Sequence, residues 1–253
     1  MPMHIDSELS PRRSVKTVEK GLATFLWQLG LSLLFGEGAP VDQTLAARCF
    51  ERAAEAGLPQ AMTDLGVAYW YGRGVRKDQG RALQLYRRAA REGEPTSQYN
   101  LGQCYLNGRV VKENHRTAYR LFLQAAQRGH SSSQFKVAAA LLQGDGVSVN
   151  TSQGMRWLRK AARGGDADAQ QFLGARYFTG RGVRVDRRKG VEWYRLATEQ
   201  DQPYALYNLG LCYLDGEGVK RSRAKARALF RRAIENGMRI TDPEIRRLLG
   251  SRR

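Results

Sequence analysis

Apolar residues recur at helical spacing along almost the whole chain. In one stretch Ala61, Leu65, Ala68 and Tyr69 fall on a single helix face. Shortly downstream Ala82, Leu85, Tyr86, Ala89 and Ala90 form a second stripe. Between the stripes stand Gly72 and Gly74, and glycine tolerates the left-handed conformation that ends many helices. Asp78 then stands where its side chain caps a new helix by accepting from free backbone N–H groups. The pattern predicts helix, turn, helix, closed by Gly93.

The same pattern returns at a fixed interval. The segments starting at Leu65, Leu101, Val137, Leu173 and Leu209 (LGVAYWYGRGVRKD, LGQCYLNGRVVKEN, VAAALLQGDGVSVN, LGARYFTGRGVRVD and LGLCYLDGEGVKRS) lie 36 residues apart with no insertion. One period before Leu65 is Leu29, inside the run Gly21–Gly36, which carries no charge over 16 residues. Gly30, Gly36, Gly38, Asp42, Ala46, Phe50, Ala53, Ala54 and Gly57 all keep the phase. The run therefore reads as the first helix of the first repeat. A signal peptide would not keep that phase, and a membrane span needs about 20 apolar residues. Pro11-Arg12-Arg13-Ser14-Val15-Lys16 has the look of a twin-arginine export signal, but Glu19 and the repeat phase argue against it. Cytoplasm is the default expectation for localisation, with export and organellar import left open.

A helical hairpin of this length cannot bury its apolar face alone, whereas stacked neighbours can. The expected fold is all-α: a right-handed α/α superhelical solenoid of six 36-residue helix-turn-helix repeats. These span 22–57, 58–93, 94–129, 130–165, 166–201 and 202–237. Asp42, Asn114, Asn150, Asp186 and Ser222 are expected to cap second helices as Asp78 does. Residues 1–20 show no periodicity and are expected to be disordered. In residues 238–253, Thr241-Asp242-Pro243-Glu244 reads as a helix start, and Ile245, Leu248 and Leu249 as the stripe of a capping helix.

The repeat A-x-x-x-LG-x-x-Y-x-x-G-x-GV-x-x-D-x-x-x-A-x-x-x-Y-x-x-AA-x-x-G resembles the Sel1-like repeat family, relatives of tetratricopeptide repeats. Residues Ala61 to Gly93 match it at nearly every position. Departures are Val110 for a loop glycine, Val137-Ala138 for Leu-Gly, Gly154 and Gly190 for a helix-B alanine, and Ala39-Pro40 in the first loop. They point to local repacking. The resemblance implies a non-catalytic scaffold or adaptor for proteins in a signalling, stress or regulatory complex. Some secreted relatives carry a disulfide across each hairpin, and this chain lacks the paired cysteines.

Composition narrows the rest. Three cysteines provide no disulfide framework. His4, His115 and His130 have no metal spacing, and no Cys-x-x-Cys occurs, so no cofactor or catalytic set is expected. The net charge is +18 and is uneven: residues 1–57 hold 6 basic and 7 acidic side chains, residues 58–253 hold 36 and 17. In repeats two to six the first helices hold only Lys136 and Arg176, and the other basic residues sit on loops and second helices. Tyr69, Tyr105, Tyr177 and Tyr213 read as core.

First helices line the concave face of such solenoids. Two columns of candidates follow: Thr63, Tyr99, Phe135, Gln171 and Tyr207, then Asp64, Asn100, Lys136, Phe172 and Asn208, with Gln103 and Arg176 one turn on. Tyr99, Asn100, Gln103, Lys136, Phe172, Arg176, Tyr207 and Asn208 are the expected groove residues for a partner peptide or helix. Asparagine pairs donor and acceptor with a peptide backbone, and tyrosine offers flat apolar area with a polar tip. Packing between repeats is the competing role for each. The expected partner is a protein, and an acidic one fits the charge. Nucleic acid or an anionic membrane against a basic convex face is the second reading.

Overall fold

The computed structural model describes residues 11–38 and 40–250; Ala39, one of the sequence departures, lies outside them. Among the described residues there are thirteen α-helices and no strand. Six hairpins pair α1 (Pro11–Phe35) with α2 (Gln43–Glu55), α3 (Pro59–Tyr71) with α4 (Gln79–Arg91), and α5 (Pro95–Leu106) with α6 (His115–Gln127). The series continues with α7 (Ser131–Gln143) and α8 (Thr151–Arg163), α9 (Ala167–Thr179) and α10 (Arg187–Glu199), and α11 (Pro203–Asp215) and α12 (Arg223–Glu235). A short α13 (Pro243–Leu249) ends the described chain. The chain divides into two compact units, residues 1–125 and 126–253. In the first, α2 packs on α3 and α4 on α5; in the second, α8 packs on α9 and α10 on α11.

The second helices start where the sequence places them. Asp42, Asp78, Asn114, Asn150, Asp186 and Ser222 accept from the backbone N–H three residues on, at 2.8–3.4 Å. First helices are capped too, by Glu94, His130, Asp166 and Gln202, a column the sequence reading does not single out. Between repeats, Gln98, Gln134 and Gln170 donate from Nε2 to the carbonyls of Ala90, Ala126 and Ala162 at 3.1–3.2 Å, tying a first helix to the end of the preceding second helix.

In five of the six hairpins a ring of the second helix lies against a glycine of the first. A Cβ on Gly66 would meet Tyr86 Cε1 at 2.6 Å; Gly30, Gly102, Gly174 and Gly210 stand likewise against Phe50, Phe122, Tyr194 and Phe230. The fourth hairpin has Ala138 in the glycine position and Leu158 in the ring position, a larger and a smaller residue exchanged together, both buried. The departures at Gly154 and Gly190 are slots cut from the other side: their Cβ atoms would meet Leu142 Cγ at 2.7 Å and Phe178 Cδ2 at 2.5 Å. In the fifth hairpin Phe178 and Tyr194 stack at 5.5 Å between two glycines.

Two positions use non-glycine residues where φ is positive. Val110 sits at φ 65°, where the other described loops have Gly38, Gly74, Gly146, Gly182 or Gly218 at φ 69–79°. Asp201 sits at φ 55° at the turn between repeats, and accepts from Arg232 Nε at 2.6 Å and Asn236 Nδ2 at 3.3 Å.

One expectation needs correction: α1 begins at Pro11, so residues 11–20 are helical where no periodicity marked them. Ser14 to Lys20 contain no glycine or proline, and once the packed stretch from Ala23 is helical, extension adds a backbone bond per residue without a new nucleus. Residues 1–10 lie outside the described residues. No described helix is long and apolar enough to cross a membrane. At the other end, α13 is capped by Asp242, and its Ile245 is buried against Ala226, Phe230 and Ile240.

The slot makes a sharp prediction for thermal unfolding. Gly66→Ala should cost about 1–2 kcal/mol, overpacking outweighing the gain in helix propensity. Adding Tyr86→Leu, the fourth hairpin's solution, should recover part of that loss. Gly21→Ala, on a helix with nothing within 4 Å of its Cβ, should leave stability unchanged or raise it.

Candidate protein-binding face

The first unit brings three of the predicted residues together. Tyr99, Asn100 and Gln103 on α5 line a cavity of about 450 Å³ with Trp70 and Tyr71 at the end of α3 and Arg109 in the following loop. Phe122 fixes Tyr99 from behind, ring centroids 5.7 Å apart. Gln103 Nε2 donates to Tyr99 Oη at 3.3 Å, while its Oε1 is buried with no donor facing it. An unmet buried acceptor costs about 1–3 kcal/mol. The cavity offers aromatic walls, amide groups and one guanidinium, with no carboxylate in its lining.

Trp70, Tyr71 and Arg109 were missed by sequence reasoning. A signal for Tyr71 exists: its position holds Asn107, Gln143, Thr179 and Asp215 in later repeats, polar in each case. Tyr71 is largely exposed and carries Arg73 over its ring at 5.0 Å.

The other candidates belong to the second unit. Arg176 lies over the ring of Phe172 at 4.9 Å, and burial, then the nearby Arg181 charge, lowers its pKa. Phe172 meets Phe135 edge-on at 5.9 Å. Lys136 on α7 and Asn208 on α11 are half-buried. Tyr207 packs on Phe230 at 5.6 Å within the cluster that includes Ile245 and Ile240.

One repeat before Asn100, Asp64 accepts from Trp27 Nε1 at 2.6 Å. Its pKa is raised, first by burial and also by the Glu94 charge, with the Trp27 bond opposing. Thr63 is buried, its hydroxyl 2.7 Å from that of Ser97 and 3.3 Å from Glu94 Oε2. This end of the face is acidic and internally bonded.

The thiols are inert components of the packing: Cys49, Cys104 and Cys212 are free and buried, and burial pushes Cys104 up to about 11 and Cys212 up to about 12. Among the described residues no three His, Cys, Asp or Glu side chains form a metal-binding group.

A model of the Sel1 repeat matches residues 24–58, 59–94, 95–130, 131–166, 167–202 and 203–238. The chain belongs to the Sel1 repeat family. It is similar to the crystal structure of a Sel1 repeat protein from Oxalobacter formigenes, at 29% identity and a TM-score of 0.78 over 85% of this chain and 88% of that one. It is also similar to c5321, a protective antigen of uropathogenic Escherichia coli with an SLR fold, at 31% identity and a TM-score of 0.68 over 87% of this chain and 47% of that one. The immunity protein Pa5087 of Pseudomonas aeruginosa, 18% identical with a TM-score of 0.58, over 84% of this chain and 81% of that one, shares the fold. No curated protein matches significantly. Sel1 repeat proteins typically mediate protein–protein interaction.

The raised pKa of Asp64 sets a pH dependence. At pH below the unfolded carboxyl pKa the group is neutral in both states and imposes no penalty; as pH rises through the folded pKa, ionisation in a buried site removes stability. Asp64→Asn keeps an acceptor for Trp27 and escapes that loss. The stability of the variant relative to the parent, followed by denaturant unfolding, should therefore increase from pH 3 toward pH 7, with those two values bracketing about the ordinary carboxyl range.

Proposed function

We propose that the protein is a non-catalytic interaction scaffold whose first-helix face in residues 1–125 seats an extended segment of a protein partner. The observation that carries this reading is the cavity of about 450 Å³ in which Trp70, Tyr71 and Tyr99 stand beside the amides of Asn100 and Gln103. Asn100 offers both a donor and an acceptor to a peptide unit of an incoming chain. Trp70, Tyr71 and Tyr99 supply rigid apolar area of the kind that dominates interfaces. Arg109 favours a segment with a carboxylate near its anchoring side chain. Within residues 126–253, Lys136, Phe172, Arg176, Tyr207 and Asn208 are the corresponding first-helix positions, and we assign them the secondary role of extending recognition.

The test uses the partner captured by the full-length chain and identified by mass spectrometry. Tyr99→Ala with Asn100→Ala should weaken that partner about tenfold or more, as loss of an interface anchor does. Retention of every captured partner at full strength would refute the assignment. Gln103→Leu separates function from packing. It removes the unmet acceptor, so thermal stability should rise by about 1 kcal/mol while binding falls.

A further inference from the structure

A second cavity, of about 480 Å³, lies wholly within the second unit. Arg159 comes from α8, Tyr177 from α9, Arg184 and Asp186 from the loop that follows, and Lys189 from α10. Its one carboxylate is already engaged: Asp186 accepts from the Lys189 backbone at 3.0 Å and pairs with its Nζ at 3.3 Å. The same three residue types recur one period later. Arg195 donates to Tyr213 Oη at 3.4 Å, and Lys225 Nζ lies 5.2 Å from the centre of the Tyr213 ring.

The first unit holds a counterpart of mixed charge. At the positions of Arg159, Tyr177 and Lys189 it has Glu51, Tyr69 and Arg81, and the cavity there, about 270 Å³, is also lined by Glu55 and Arg88. The fold therefore tolerates a carboxylate at the Arg159 position, and hairpin packing does not require an arginine there. Residues 126–253 hold 25 basic and 12 acidic side chains, a net +13 of the chain's +18.

We infer that these repeated forks, Arg159–Tyr177–Lys189 and Arg195–Tyr213–Lys225, form a docking surface for an acidic protein segment, separate from the first-helix face. A guanidinium and an ammonium on one tyrosine offer several donors to one carboxylate. Two features favour a peptide over nucleic acid. Carboxylates interrupt the strip: Glu217 pairs with Arg187 at 3.4 Å, Asp186 with Lys189, and Glu192 is exposed. A backbone charged at every nucleotide meets them, whereas a peptide with spaced acidic side chains passes between. Base stacking also needs an open ring face, and Lys225 covers that of Tyr213.

Fluorescence anisotropy on the full chain at low salt tests this with two probes: a short labelled peptide alternating Glu and Ser, and a labelled oligothymidylate of equal length. Arg159→Glu with Arg195→Glu should weaken the peptide about tenfold or more. Arg116→Glu with Arg120→Glu, exposed residues of α6 with the same change in net charge, should weaken it only about twofold to threefold, through long-range charge alone. Equal losses in the two variants, or no peptide binding by the parent, would overturn the proposal. Tighter binding of oligothymidylate, abolished by the same pair, would assign the forks to nucleic acid and also overturn it. Should the Glu pair disturb the fold, Arg159→Gln with Arg195→Gln replaces it, read against Arg116→Gln with Arg120→Gln by the same comparison.

Discussion

A second-helix side chain pressed on a small residue of the first helix is the contact on which the hairpins depend. It is a ring on a glycine in five of the six and Leu158 opposite Ala138 in the fourth. Gly66 and Tyr86, Gly102 and Phe122, Gly174 and Tyr194, and Gly210 and Phe230 bring two helices close enough that a single added methyl has no room. The close approach buries the alanines beside them, Ala82 and Ala89 among others, to zero exposure. Close packing of this kind transmits small changes in volume, so each hairpin is felt as a unit.

The same contact explains the residues above it. Phe122 lies in the Gly102 slot and supports Tyr99, so the aromatic wall of the candidate cavity rests on core packing rather than on a loop. Phe230 supports Tyr207 in the same way. A binding face on such a base is preorganised, which lowers the ordering cost of seating a partner. Outward positions of the second helices vary more freely, and there the two units differ in charge: Glu51 and Glu55 on α2, Arg159 and Arg163 at the matching places on α8.

Much of this was legible from the chain, because a period of 36 residues aligns six independent readings of one hairpin. The second-helix caps could be named because Asp, Asn and Ser are the ordinary capping residues. The first-helix caps were not, since Glu94, His130 and Gln202 are unusual in that role. Departures such as Ala138 and Gly154 read as isolated irregularities. The structure pairs Ala138 with Leu158 as an exchange of volume across one interface and sets Leu142 against Gly154, relations that sequence spacing alone does not expose. The cavity was half visible: Tyr99, Asn100 and Gln103 follow from the repeat, whereas Trp70, Tyr71 and Arg109 depend on how the end of one first helix meets the next. The helical state of residues 11–20 left no periodic trace at all, as extension of an existing helix requires none.

The most direct test of the slot is a double-mutant cycle in the fourth hairpin, where the exchange is already made: Ala138→Gly, Leu158→Phe and both together, compared by denaturant unfolding. If ring and glycine form one interlocking contact, each single change destabilises, by a cavity in one case and overpacking in the other. The pair then recovers at least about 1 kcal/mol of the summed loss. Additive losses would show that the two positions do not sense each other, and the account of the hairpin would fail.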